Sequence, residues 1–291
     1  MEKNNKNIWI KHFPYAEPRE DQIIAIEEAI KAFDKKKYFI LEAGTGVGKS
    51  AIGLTVSKSI EDILIPEDSY LPGSYFLTTQ KILQEQYVKD FSSNGMKSIK
   101  SSSNFSCAYH KQNTCAQSMR ILKTAEKGSR FWNTCMMRCP YKKAKQDFLD
   151  SSASVTNFPY FLAESYYAKK IKPRNFLVID EAHNIPNELG KFIEISVTEK
   201  FSKEFLKIKM PNLKSHAEAL EWVAKIYYPK LRSRFKFMES KIEKYNVGNK
   251  LEDFIKLAKQ FEMLDKHMCK INRFLQIHEI NNWVFNEVPA N

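Results

Sequence analysis

Apolar residues recur along this chain with two different periods, and the change of period divides it. Ile23, Ile26, Ala29, Ile30 and Phe33 step by threes and fours, which predicts a helix over residues 19–36. Tyr38 to Ala43 (YFILEA) is a short apolar run and predicts a strand. GTGVGKS follows directly, and AIGLTVSKSI then predicts a helix. A strand, a glycine loop and a helix in succession open an α/β unit. Ser74 to Thr79 (SYFLTT) predicts a second strand and QKILQEQYVKDF a second helix. ASVTNFPYFLAESYY starts β-rich and continues as a helix. NFLVIDEAH contains a third strand, Phe176 to Ile179, so uniformly apolar that it suits a buried parallel position.

After Phe201 the rhythm becomes purely helical. Ala217, Leu220, Ala224, Tyr227, Leu231, Arg234/Phe235, Met238, Ile242 and Tyr245 keep one face, and Asn246 to Asn249 (NVGN) is a turn signal. Leu251, Phe254, Ala258, Phe261, Leu264, Met268, Ile271 and Leu275 resume the stepping. Two such runs around a turn predict a long αα-hairpin with a heptad-like seam. The expected fold class is therefore α/β: a P-loop parallel-sheet motor domain, a cysteine-rich insertion and a helical domain.

Charge narrows the partners. The formal net charge is +12, which favours a polyanion, most simply nucleic acid. The start, MEKNNKNIWIKHF, has no apolar h-region, and no run approaches the roughly 18 apolar residues of a spanning helix. The expectation is a protein that is not secreted and has no membrane partner, in the cytoplasm or, in a eukaryote, the nucleus. In that reducing compartment five cysteines, four of them clustered, favour metal ligation over disulfides.

Two short motifs carry phosphate chemistry. AGTGVGKS (Ala43 to Ser50) has alanine where the P-loop pattern opens with glycine. Gly44, Gly46 and Gly48, with Thr45 among them, let backbone N–H groups approach phosphate oxygens ahead of a helix N-terminus. Lys49 then reaches the β- and γ-phosphates of ATP, and the Ser50 hydroxyl a Mg²⁺ ion. In VIDEAH, Asp180 ends a parallel strand where open α/β sheets bind ligands. Asp180 is the second candidate Mg²⁺ ligand, Glu181 the candidate base for the attacking water, and His183 a candidate sensor of the γ-phosphate.

The third motif is the cysteine set. Cys107, Cys115, Cys135 and Cys139 lie within 33 residues, at a spacing unlike paired Cys-x2-Cys knuckles. Four thiolates suit an iron–sulfur cluster or Zn²⁺. Cys269 lies outside the group, beside the helical seam, and His110 between two of the cysteines is read as a surface histidine. Residues 101–150 hold nine basic against three acidic side chains, with Tyr109, Phe131, Trp132 and Tyr141 among them. Basic groups interleaved with aromatics suit single-stranded DNA. Arg130, Arg138, Lys142, Lys143 and Lys145 are candidate phosphate contacts; Phe131 and Trp132 fit equally well as core.

Taken together, AGTGVGKS and DEAH resemble motifs I and II of superfamily 2 helicases. REDQ resembles their N-terminal adenine-reading element, which implies that role for Arg19 and Gln22. LTTQKILQEQ resembles the DNA-backbone motif Ia and implies contacts from Thr78, Thr79 and Gln80. The four cysteines between motifs I and II, the last in CPY, together with TNFPYFL, resemble the XPD/DinG family of iron–sulfur DNA helicases. The resemblance covers residues 13–291 and implies a [4Fe–4S] cluster on the cysteines, with zinc as the alternative. It also implies 5′→3′ movement on single-stranded DNA or DNA junctions, and a helical arch open to a protein partner. The domains expected are motor domain 1 over 1–100 and 151–195, a cluster domain over 101–150 and the arch over 196–291. That family has a second motor domain supplying an arginine finger, for which these residues hold no counterpart. A finger contributes about 10³–10⁵ in rate in comparable sites, so weak turnover is expected of this chain alone. Two other expectations stay beside the helicase: a zinc-stabilised, nucleotide-switched DNA-binding module, and an accessory or inhibitory fragment without unwinding activity.

Overall fold

The structure is a computed structural model that describes residues 8–63, 70–122, 125–243 and 251–277. The chain forms two compact units, Met1–Ala116 with Asn133–Phe192, and Gln117–Trp132 with Ile193–Asn291.

The first unit is built on a four-stranded parallel sheet. Its strands are β1 (Leu71–Thr78), β2 (Met96–Ser98), β3 (Ala153–Asn157) and β4 (Arg174–Ile179), in the order β2-β3-β1-β4. Phe76 pairs with Val155 on one side and Val178 on the other. Neighbouring residues of a strand face opposite sides of the sheet, and β1 shows why both sides are covered. Phe76 enters a core with Ile26, Ile52, Leu54, Phe91 and Val155, supplied in part by α1 (Glu20–Phe33), α2 (Lys49–Ile63) and α3 (Lys81–Phe91). Tyr75 turns the other way, stacks on Phe148 and meets Phe161 edge-on. That second layer comes from α6 (Pro140–Asp150) and α7 (Phe158–Leu162), which is prolonged by a wider π turn over Ala163–Tyr167. In chain order α4 (Cys115–Leu122), most of which belongs to the other unit, and α5 (Arg130–Met137), which begins there, come between β2 and α6, and α8 (Ile185–Ile193) follows β4.

A buried arginine joins the cysteine-bearing segment to the sheet. Arg174, at the start of β4, donates to the carbonyls of Ser74, Phe148 and Leu149 and to Ser154 Oγ, and its guanidinium lies 4.3 Å from the Tyr75 ring centroid. Two of those carbonyls belong to the last turn of α6, where helices leave acceptors unpaired. One side chain thus ties α6 to β1, β3 and β4.

Two expectations about the sheet are corrected. Tyr38–Ala43 joins no ladder among the described residues. Phe39 and Leu41 pack on the core, whereas Tyr38 and Ile40 are 86% and 88% exposed. The alternation is that of a strand, but no ladder hydrogen bonds are made to it among the described residues. For the same reason β4 is an edge strand rather than an enclosed one, with Leu177 47% exposed.

The second unit is helical. It contains α9 (Glu199–Phe201), α10 (His216–Trp222), α11 (Tyr228–Glu243) and α12 (Leu251–Ile277), with a π turn over Val223–Tyr227 joining α10 to α11. Tyr227, Leu231 and Met238 meet Leu257, Leu264 and Ile271 in its core, and Phe235 stacks on Phe261. The predicted seam is packed from Tyr227 onward; before it Ala217 is exposed, and Trp222 and Val223 take the core places expected of Leu220 and Ala224. The turn at Asn246–Asn249 and Tyr245 lie outside the described residues. Cys269, expected to pack beside the seam, is exposed on α12. Inside the core His267 Nε2 lies 2.7 Å from the Tyr227 hydroxyl.

Candidate nucleotide site and thiol layer

The phosphate loop leads into α2, and two residues from the start of α1 hold it. Arg19 Nη1 donates to the Gly46 carbonyl at 2.9 Å, and Gln22 Nε2 to the Val47 carbonyl at 2.8 Å. Gln22 Oε1 meanwhile accepts the Arg19 N–H at 2.9 Å. Both ends of this buried amide are engaged by protein, so here Gln22 braces the loop. Gly48 is required twice over: its φ is +87°, and a Cβ would stand 2.4 Å from Gln22 Nε2. Lys49 bends back, with Nζ 3.1 Å from the carbonyls of Ala43 and Gly44. Gly44, Thr45 and Gly46 are exposed.

Asp180 extends the β4 ladder by one bond, its N–H donating to Leu77 O at 2.9 Å, which brings its carboxylate to the carboxyl end of the sheet. Burial and the adjacent Glu181 charge push its carboxyl above the usual range; the Glu181 N–H, the Lys49 charge and the Tyr87 hydroxyl oppose them. Lys49 and Asp180, 131 positions apart in the sequence, therefore share one electrostatic site. Glu181 sits at φ 55°, ψ 48°, a left-handed conformation costing of order 1–3 kcal/mol in a non-glycine residue. Its carboxylate is exposed and lies 3.3 Å from His183 Nδ1.

Tyr87 was not anticipated. It lies on α3 within LQEQYVKDF, where its spacing to Phe91 reads as core, and it is indeed 3% exposed. Yet its hydroxyl donates to Asp180 Oδ2 at 3.4 Å, and the Ser50 side chain is near enough to act on the phenol. Burial, then the Asp180 charge, raise the phenol far above its ordinary range, so it stays a proton donor. No spacing rule links a core-like tyrosine to a P-loop serine and a strand-end aspartate; only the packing of α3 against the sheet does.

The four cysteines are buried, and Cys115 and Cys139 pack into the opposite layer with Tyr75 and Phe148. An isolated antiparallel bridge between Ser106 and Thr114, with Cys115 N–H donating to Phe105 O, folds residues 105–115 back on themselves. That fold brings Cys107 towards Cys115, the first residue of α4. Cys135 lies on α5, and Cys139 precedes Pro140 as the cap of α6. Cys115 Sγ and Cys139 Sγ are 3.6 Å apart, and Cys135 lies near enough to Cys107 for the two thiols to influence one another. Burial and the neighbouring thiols push Cys115 and Cys135 each up to about 11. No group of three or more His, Cys, Asp or Glu among the described residues is spaced to hold an ion. Cys115 and Cys135 are thus held as neutral thiols in a packed, buried setting. In donor type the four sulfurs fit a thiophilic centre, because four ionised thiolates this close repel one another unless a cation lies among them. His110 is half-buried rather than on the surface, with its N–H donating to Cys107 Sγ at 3.4 Å.

The candidate nucleic-acid contacts separate by exposure. Gln80, Arg138 and Lys143 are exposed, while Thr79 and Lys142 are half-buried. Arg130, in the other unit, is exposed. Thr78 is fully buried and donates to the Gln80 carbonyl at 3.1 Å, so it shapes the loop from below. Lys145 is paired with Glu164. Tyr141 is buried with its hydroxyl 3.0 Å from that of Tyr160, and Phe131 is buried too; neither presents a ring for base stacking, while Tyr109 is exposed. No described helix is long and apolar enough to cross a membrane.

A parallel sheet, a phosphate loop leading into a helix and an acid at the end of the adjoining strand define a P-loop motor domain. The chain belongs to the type III restriction enzyme res subunit family, a helicase family whose model matches residues 15–210. In fold it resembles an XPD helicase structure with a TM-score of 0.53 at 18% identity, over 91% of this chain and 52% of that one. A truncated XPD structure matches at 0.46 and 16% identity, over 88% and 81% of the two chains. This chain therefore spans about half the length of the first of these. No curated protein matches its sequence. The fold is that of an XPD-like superfamily 2 helicase motor.

Proposed function

We propose that this chain carries the nucleotide-binding half of an XPD/DinG-type ATP-dependent DNA helicase that moves 5′→3′ on single-stranded DNA. Family membership and fold support a helicase-type function. The observation that carries the finer reading is the meeting of Lys49, Ser50 and Asp180 around one corner, with Arg19 and Gln22 clasping the loop. Loop N–H groups and the start of α2 take the phosphates of ATP. Lys49 exchanges two loop carbonyls for β- and γ-phosphate oxygens. Glu181, set outward by its left-handed backbone, accepts the proton of the attacking water. Ser50 and Asp180 would hold Mg²⁺, which when bound neutralises phosphate charge. Gln80, Arg138, Lys142 and Lys143 supply contacts to the strand, and the helical unit serves as the arch.

Cys107, Cys115, Cys135 and Cys139 would hold a [4Fe–4S] cluster, which when bound supplies the positive charge that lets four thiolates share a buried layer. Zinc is the second reading, favoured by one distance. Two sulfurs about 2.3 Å from one tetrahedral zinc lie about 3.8 Å apart, and Cys115 and Cys139 are 3.6 Å apart. Anaerobic purification with iron, sulfide and zinc quantified separates the two: about four irons per chain support the cluster, and one zinc without iron replaces it. For the motor reading, a fluorescent ATP analogue binds the parent chain and not Lys49→Ala. Equal binding by both overturns the assignment of the phosphate loop.

A further inference from the structure

The tyrosine beneath the phosphate corner has a role that packing does not explain. The Tyr87 ring is held by Phe76 and Phe91, with centroids 5.7 and 5.8 Å away, and phenylalanine would keep both contacts. The hydroxyl is what reaches Asp180 Oδ2, with the Ser50 side chain near enough to act on it. An ionised carboxylate only accepts hydrogen bonds, so the phenol proton points to Asp180. The phenol oxygen then offers an acceptor to the nearby Ser50 hydroxyl, and a serine that gives its proton this way keeps its lone pairs for a cation. Such partners of metal ligands typically contribute 10–100-fold in metal affinity or activity.

We propose that Tyr87 is a positioning residue for the magnesium pair, orienting Ser50 and Asp180 together through one hydroxyl. This rests on reading Ser50 and Asp180 as the residues that hold Mg²⁺. It adds a third element, α3, to a pair supplied by the P-loop helix and the end of β4. α3 follows directly on the Thr78–Gln80 loop, so a displacement of that loop would reach the Mg²⁺ pair through Tyr87.

The test is mant-ATP fluorescence on the 291-residue chain, titrated with Mg²⁺ after EDTA treatment, with Mn²⁺ binding followed by electron paramagnetic resonance. Tyr87→Phe is expected to raise the Mg²⁺ half-saturation point roughly tenfold, to weaken Mn²⁺ binding in parallel, and to leave mant-ATP affinity in EDTA unchanged. Asp180→Asn is expected to abolish the Mg²⁺ response. If Tyr87→Phe keeps the parent's half-saturation while Asp180→Asn loses the response, the role of Tyr87 is overturned and the magnesium pair stands. If Asp180→Asn responds to Mg²⁺ like the parent, the pair itself is wrong and the role of Tyr87 goes with it. Tyr87→Met, which also lacks the hydroxyl, carries the same expectation and decides the matter should the phenylalanine variant lose its melting transition.

Discussion

The nucleotide corner and the thiol layer solve opposite problems within one unit. At the phosphate loop the charged groups are accessible and the backbone satisfies them: Lys49 rests on two loop carbonyls and Arg19 on a third. At the thiol layer the groups are buried, and the sulfurs lie near one another, Cys115 by Cys139 and Cys135 by Cys107. The first arrangement is electrostatically complete before ligand arrives. In the second, burial holds Cys115 and Cys135 in the neutral form. Nucleotide binding should therefore be insensitive to the thiol layer, whereas the fold around residues 105–141 should depend on what those thiols hold.

The largest test of that contrast is a reciprocal pair of variants. Lys49→Ala should lower ATP affinity and turnover by about 10²–10³, the scale of losing one charged phosphate contact, with iron or zinc content unchanged. Cys135→Ser should lose the metal and lower the melting temperature while mant-ATP still binds. Loss of metal from the Lys49 variant would show that the two corners are one cooperative site.

Next in size is the link between them. Replacing Arg174 with methionine strands carbonyls of α6, β1 and the Ser154 hydroxyl in a buried place, at a cost of about 3 kcal/mol in urea unfolding. If metal retention then falls while nucleotide affinity holds, the junction belongs to the thiol side.

Gly48→Ala forces a side chain into a positive-φ position against Gln22 and should cost about 1–3 kcal/mol. Calorimetric stability and mant-ATP affinity should fall together, with the thiol layer untouched.

The smallest effect separates the helical unit from both corners. Burial, then the Lys270 charge, hold His267 below the usual histidine range. The unfolded chain therefore takes up this proton at a higher pH than the folded one. The stabilisation is full above the unfolded value of about 6.5 and is lost as pH falls through it towards the folded value. Urea midpoints at pH 7.5, 6.5 and 5.5 should decline in that order, and Tyr227→Phe should change the slope because the hydroxyl faces His267. A flat profile would remove His267 as the cause.

Much of this molecule could be read from local pattern, and the exceptions share a reason. The strands around Phe76, Val155 and Val178 announce themselves because strand and helix periods are written in neighbouring residues. The helical seam from Tyr227 to Leu275 is legible on the same ground. Tyr38–Ala43 has the alternation of a strand and still makes no ladder, because a ladder needs a partner that alternation does not supply. The basic, aromatic stretch over residues 101–150 promised stacking rings, but Tyr141 and Phe131 went to the interior. Composition does not distinguish a ring facing solvent from one filling a core.

The amino-acid sequence alone determined the chemistry available: a loop that binds phosphate, an acid at a strand end, four thiols, and a helical seam. Those features reside in residue type and short-range spacing, which act within a few positions. The tertiary structure decided what each group faces. It turned Gln22 onto the phosphate loop, buried Thr78, paired Lys145 with Glu164 and brought Tyr87 between Ser50 and Asp180. Such contacts join residues tens of positions apart, and packing of helices on a sheet is what makes them neighbours.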